Sequence, residues 1–397
     1  MNPASPLKAE FQRVQRMAAI VGIVGLLLAV VGFFISGREQ FFQSYLFGFL
    51  VWNGLTMGSI GIYLLHNVVG GNWGVIIRRF VEAGARTLPL NFILLLPILI
   101  FGIPALYYWA QPAAQHDANV QFKAAYLNIP FFIARSVFYF VLWAFYVFRL
   151  TALSAEQDRT GDPAIMARMK RMSPFGLLLF VVTVSFAFID WIMSLEPHWF
   201  STMYAGMFLV GQVLETFAFC IALLVMLSPY KPFAGVMNKQ LYHDLGNLML
   251  AFTMLWAYTG LAQFLIIYSG NLPEEIPWYI RRFTGGWGYI AWFLGIFHFF
   301  VPFLLLLQRF VKKNPSFLQK LAIYMLVVRC VDIFWIVEPA FRQRQFYVHW
   351  LDFACLIGVG GLWIAAFLWR LQERPLMPLH DPRFSYHPLE TEAESTI

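Results

Sequence analysis

The chain has 397 residues, 60% of them hydrophobic and 12% charged, with 42 phenylalanines, a mean hydropathy of +0.64 and a formal net charge of +7. A soluble domain sits near half apolar and a quarter charged, so this composition excludes an ordinary soluble enzyme. The positive balance is no nucleic-acid signal, because the lysines and arginines are spread through short connections between apolar stretches.

Ten stretches are apolar and long enough to cross the ~30 Å hydrocarbon core as helices. The first, 17–36, follows a basic start (Lys8, Arg13, Arg16) and resembles a signal peptide. It ends Phe33-Phe34-Ile35-Ser36-Gly37-Arg38 without a small-residue cleavage site, so it reads as an uncleaved helix. The others cover 41–68, 89–110, 129–150, 174–194, 200–228, 246–269, 286–309, 318–338 and 350–370. The expected fold is an all-α integral membrane protein of ten transmembrane helices, a single polytopic domain over 1–397.

An even number of spans puts both termini on one side. Twenty lysines and arginines fall on that side, Arg78, Arg79, Arg171, Lys312 and Arg383 among them. Six fall on the other: Arg38, Lys123, Arg281, Arg282, Arg342 and Arg344. The positive-inside rule then makes both termini cytoplasmic. Residues 371–397 read as a polar cytoplasmic tail, disordered or lying along a partner.

Spans five and nine end alike, as Asp190-Trp191-Ile192-Met193-Ser194-Leu195-Glu196-Pro197 and Asp332-Ile333-Phe334-Trp335-Ile336-Val337-Glu338-Pro339. The shared pattern, Asp-x5-Glu-Pro, puts each Asp about 9 Å deeper than its Glu at 1.5 Å per residue. Proline limits continuation of each helix. The repeat interval of four helices predicts two four-helix bundles, spans 2–5 (41–194) and 6–9 (200–338), with spans 1 and 10 as peripheral helices.

A charge inside a span costs roughly 2.5–3.5 kcal/mol on insertion scales, so it is seldom idle. Arg135 on span four and Asp190 on span five lie at similar depth and are expected partners; Arg329 and Asp332 share a face of span nine. Each pair admits a structural and a functional reading. Glu215 and His298 fall near mid-membrane, with Gln212 one turn from Glu215, and Glu215 has no obvious positive partner at its depth. His66, His243 and Asp244 lie near the cytoplasmic ends, where a structural role is the simpler reading. Together with Glu196, His198 and Glu338 these residues make a discontinuous ladder of the kind a proton relay needs. The turn 195–200 reads either as an aromatic belt or as the mouth of a quinone or proton site. Cys220, Cys330 and Cys355 lie inside spans without C-x-x-C spacing, so no disulfide, iron–sulfur cluster or covalent haem is expected. His298 has no second mid-membrane histidine for haem b, and no metal motif is present.

The segment from Asp190 through Pro197-His198-Trp199-Phe200-Ser201-Thr202-Met203 to Tyr204, with Trp52-Asn53-Gly54 in span two, resembles the NrfD-like (polysulfide reductase type) membrane subunits of bacterial alternative complex III. The resemblance extends over nearly the whole sequence, and its 190–204 segment is the specific part. It implies a multi-pass protein of the bacterial cytoplasmic membrane. Its expected partners are a second NrfD-like subunit, an iron–sulfur subunit and a multihaem c-type cytochrome, which hold the haem c and iron–sulfur clusters. Length and turn sequence are closer to the second, ActF-type subunit, thought to conduct or translocate protons, than to the one that holds quinol or menaquinone. The competing readings are a quinol-binding subunit of this or a molybdoenzyme complex, and a secondary transporter. Against the last, no two helices are clearly interrupted by Gly or Pro at matching mid-span positions.

Overall fold

In hydrocarbon there is no water to bond the backbone, so each N–H and C=O must be satisfied within its own segment, and apolar runs of this length become helices. The computed structural model describes residues 6–342, 345–378 and 381. It is 84% helical, and no strand occurs among the described residues. Arg344, Arg383 and most of the expected tail 371–397 lie outside the described residues.

The helices are α1 (Pro6–Ser36), α2 (Arg38–Val69), α3 (Asn72–Ala85), α4 (Leu88–Pro97, continuing through Leu106), α5 (Ile129–Thr160), α6 (Pro163–Trp191), α7 (Met203–Leu227), α8 (Lys239–Gly270), α9 (Pro277–Phe283), α10 (Trp287–Phe293, continuing to Leu307), α11 (Pro315–Val337) and α12 (Trp350–Gln372). Nine stretches among the described residues are long and apolar enough to cross a membrane, which gives the protein the build of a multi-pass membrane protein. They coincide with nine of the ten expected spans. The exception is α11: it matches the ninth span in place and length but carries Lys320, Arg329 and Asp332. Asn128, Asp162, Asn238 and Asn314 cap α5, α6, α8 and α11 by accepting first-turn backbone N–H groups.

Helices α2 and α7 cross at the centre. Helix α2 also packs on α3, α6 and α12, while α7 also packs on α6, α8 and α11. Helix α5 lies on α6 and α4, and α10 lies on α8 and α11. Helices α1 and α12 pair along one flank, where α1 leaves residues such as Ile20 and Phe34 exposed. This pairing depends on small residues: a Cβ on Gly358 would stand 2.8 Å from Leu26 N and 3.0 Å from Gly25 C, both backbone atoms. Gly358→Leu is therefore expected to force α1 away and lower stability by about 1–3 kcal/mol. Gly206→Ala, whose Cβ would meet nothing within 4 Å, is the matched control. Melting of both variants in detergent tests this, and equal midpoints would refute it.

One connection is not the loop expected. Between spans two and three the backbone forms α3, a buried helix whose Val75, Ile76, Ile77, Phe80 and Val81 join the interior. Its two arginines are balanced by Glu82 on the same helix together with Asp158 and Asp381. Glu82 is bonded by Arg78 Nε (3.0 Å), Arg79 Nη1 (2.6 Å) and Ser154 Oγ (2.6 Å), and Arg374 Nη1 lies 3.3 Å away. Spacings of three and four residues put these arginines and Glu82 on one helix face.

Two spans widen locally into π turns, Ile98–Gly102 directly before Ile103-Pro104 and Leu294–Phe300 directly before Val301-Pro302. Proline has no N–H for the carbonyl four residues back and clashes with it, so the helix beside it opens. For Pro302 that carbonyl belongs to His298. The two π turns fall in different places within the two predicted bundles.

Candidate functional site

Besides the charges of α3, two clusters of charge are buried among the described spans, and they differ in balance. In the first, Asp190 of α6 is fully buried and accepts from Arg135 of α5 twice (Nε to Oδ2 2.9 Å, Nη2 to Oδ1 2.8 Å) and from the Tyr139 hydroxyl (2.8 Å). Arg135 Nη1 donates to the Tyr126 carbonyl (2.9 Å), and its guanidinium lies 3.8 Å from the Tyr126 ring centre and 4.3 Å from that of Phe131. One cation meets one anion through a two-point fork, the strong form of this contact. The cluster is a neutral lock between adjacent helices.

The second cluster joins α7, α8, α10 and α11. Arg329 and Asp332, one turn apart on α11, pair directly. Arg329 Nε lies 3.9 Å from Glu215 Oε2 on α7, so Glu215 has the positive neighbour that the sequence did not reveal. His298, in the π turn of α10, places Nδ1 3.7 Å from Asp332 Oδ2, and Trp256 Nε1 of α8 donates to that same oxygen (3.0 Å). The Trp256 and His298 rings are 4.1 Å apart. Glu215, His298, Arg329 and Asp332 are each 3% exposed or less, so this is charge held away from water. Gly211 makes the room: a Cβ there would come within 2.4 Å of Arg329 Cζ. Unlike the first cluster, this one is incompletely bonded. Glu215 Oε2, Arg329 Nε and both ring nitrogens of His298 have no hydrogen-bond partner among the described residues.

The two Glu-Pro corners form a third layer at one end of the molecule. Glu196 accepts from Arg281 Nη1 (2.5 Å) and Arg282 Nη2 (3.1 Å). Arg282 also donates to the Ile336 carbonyl (2.6 Å) and lies 3.7 Å over the Trp278 ring, so Glu196 is tied through it to α11. Among the described residues Glu338 meets Arg342 Nε at 3.0 Å, while the Arg342 fork is taken by Asp352 of α12 (2.9 and 2.8 Å). Beside this layer lies an open cavity of about 650 Å³, bounded in part by Glu39, Tyr108, Glu196, His198 and Arg281.

His198 is half-exposed and bonds the Asp117 carboxylate through Nε2 (2.6 Å). That bond, with the Val120 and Asn119 amides, holds Asp117 below the usual carboxylate range. A lowered folded-state pKa means a contribution to order that is present above the unfolded value and lost as pH falls through the folded one. Amide exchange in 112–128 is therefore expected to accelerate as pH drops below ~4, where an ordinary Asp protonates. In His198→Gln that acceleration should be smaller and level off at higher pH, because the folded-state value moves back toward the unfolded one; identical profiles would refute the link.

The remaining candidates stand apart. His66 Nε2 meets the Gly71 carbonyl (3.0 Å) and its ring meets Trp73, closing the turn from α2 to α3. His243 Nδ1 lies near Asn247 (3.2 Å) and Asp244 (3.8 Å) on its own helix. Several partners emerge only from the structure: Tyr139, Trp256, Arg282, Arg342 and Asp352. The Arg281-Arg282 doublet and an Asp two residues into an apolar span are the signals that sequence offers for them. Tyr139 and Trp256 offer none, because an aromatic residue in a span is usually packing. Neither protein-family models nor curated proteins give a match to this sequence. Fold and site together define a helical membrane protein with a balanced ion-pair lock and an unbalanced, incompletely bonded charge centre.

Proposed function

We propose that the protein is a non-redox membrane subunit of a quinol:cytochrome c (or other periplasmic electron carrier) oxidoreductase of the alternative complex III kind, and that it conducts protons through Glu215, Arg329, Asp332 and His298. The 190–204 resemblance supports the complex. One observation carries the proton role: Arg329, the one permanent cation of the second cluster, faces two carboxylates. In a low-dielectric interior an uncompensated charge is expensive. Neutrality therefore calls for one further proton, seated on Glu215 or on His298. Those seats are on different helices, on either side of the Arg329–Asp332 pair, which is what a relay step requires.

In this reading α11, the ninth expected span, crosses the membrane with the other nine, its charge kept there because its partners are there too. The packing of α2, α4, α5 and α6, and of α7, α8, α10 and α11, supports two four-helix bundles joined by α2 and α7. Both termini face the cytoplasm of a bacterial cell, and the Glu196 layer faces outward. The partners are a second NrfD-like subunit, an iron–sulfur subunit and a multihaem c-type cytochrome. Purification of the tagged protein in mild detergent from its native membrane tests this. Co-purifying haem c and iron–sulfur subunits with quinol oxidation are expected; a lone colourless protein would overturn the reading.

A second reading, quinol or menaquinone binding by this subunit, is favoured by an apolar pocket of about 370 Å³ beside the first cluster. Tyr126, Ile189, Met193 and Phe200 bound it, with Ser194 and Lys123 at its edge. Labelling of this pocket by a photoreactive quinone would favour it over the proton-only role.

A further inference from the structure

Where α2 crosses α7, the polar groups around Glu215 are buried and unmatched. Gln212 is fully buried, and neither its Oε1 nor its Nε2 has a partner among the described residues. Gly54 of α2 opens the space they occupy: a Cβ there would lie 1.7 Å from Gln212 Oε1 and 2.8 Å from Glu215 Oε2, so those two oxygens are neighbours. Two acceptors face each other with no donor between them. Turning the amide over would give Glu215 a donor but leave the amide oxygen without one. Arg329 Nε, 3.9 Å from Glu215, is an unmatched donor, and Asn53 Oδ1, next to Gly54 on α2, is a further unmatched acceptor. Buried groups of this kind are rare, and each left unbonded bears its full desolvation penalty.

Whatever satisfies this set must donate and accept. A metal cation cannot, because it leaves Gln212 Nε2 and Arg329 Nε unmatched and is repelled by the guanidinium. Water can, and it binds where several such partners converge. We propose that the α2–α7 crossing is a water-binding site, with Gln212 as its positioning residue, and that water held there connects Glu215 to Arg329. The proposal rests on the proton-conducting reading for its purpose but not for its test.

The test is high-resolution cryo-electron microscopy of the complex as purified, paired with proton uptake in proteoliposomes. Density for ordered water within hydrogen-bonding distance of Gln212 and Glu215 is the expected result; a dry crossing, with these side chains bonded to one another, would overturn the proposal. Gln212→Leu should lose that density and slow proton uptake by about tenfold or more. Gln212→Glu, which still donates or accepts, should retain the density. Gly54→Ala should do as Gln212→Leu does, by pushing the flexible amide into the water's place, and it covers the case in which Gln212→Leu fails to assemble. Uptake that survives loss of the density would refute the connecting role. Water present in a complex whose uptake does not change on altering Glu215 would instead remove the proton-conducting reading and leave the binding site standing.

Discussion

Glu215→Gln is expected to cut proton movement through the reconstituted complex at least about a hundredfold, the scale of a lost acid–base group. Assembly and quinol oxidation by uncoupled membranes should persist. The same change should leave the melting midpoint unaltered or raise it. The reason is the charge count: Arg329 faces Glu215 at 3.9 Å and pairs with Asp332, so a neutral Gln leaves one cation with one anion. A residue serving only as structural glue would behave oppositely, with a lower midpoint and unaltered flux. Proton uptake and thermal melting on one preparation separate these outcomes. Asp332→Asn is the complementary case, because it deprives the Trp256 indole of a charged acceptor as well as Arg329 of its closest partner.

The balanced cluster should respond through stability. Arg135→Met leaves Asp190 buried without its cation, and removing one member of a buried pair costs about 3–5 kcal/mol. Asp190→Asn should cost less, since an amide still accepts a bond from Arg135, which also keeps its contacts with Tyr126 and Phe131. The double change Arg135→Met with Asp190→Leu should recover most of the loss, because two apolar side chains need no compensation. A double-mutant cycle by unfolding in detergent measures the coupling. Additive single effects would show that the fork contributes little, and proton flux lost in proportion to neither variant's stability would move this cluster into the conducting path.

Much of the difference between the clusters is invisible in sequence, although their members are not. Asp190 and Asp332 occupy the same place in a repeated motif, and the repeat treats them as equivalent. Their cations come from different places: Arg135 from the preceding span, Arg329 from one turn earlier on the same helix. That difference leaves Arg329 close enough to serve Glu215 too. Glu196 and Glu338 diverge in the same way. Glu196 draws two arginines from α9, whereas Glu338 shares one arginine with Asp352.

The length and polarity of an apolar run are local quantities, and the helix it forms closes its own hydrogen bonds. Nine spanning stretches and their order could accordingly be placed from residue order alone. So could the charges inside those runs, Arg135, Asp190, Glu215, Arg329 and Asp332, because a charge there is conspicuous; the buried charges of α3 and of the connections, such as Arg78, Glu82, Arg282 and Arg342, could not. Which charges meet is a different kind of quantity. Arg282 reaches Glu196 across 86 positions, and Arg329 reaches Glu215 across more than a hundred, through helices brought together by glycine notches and turned by a proline-linked π turn. Burial of α3, the pairing of α1 with α12 and the surplus of one carboxylate at the centre arise only when those helices pack. Coulomb energy depends on separation in space, and separation in sequence carries almost no information about it.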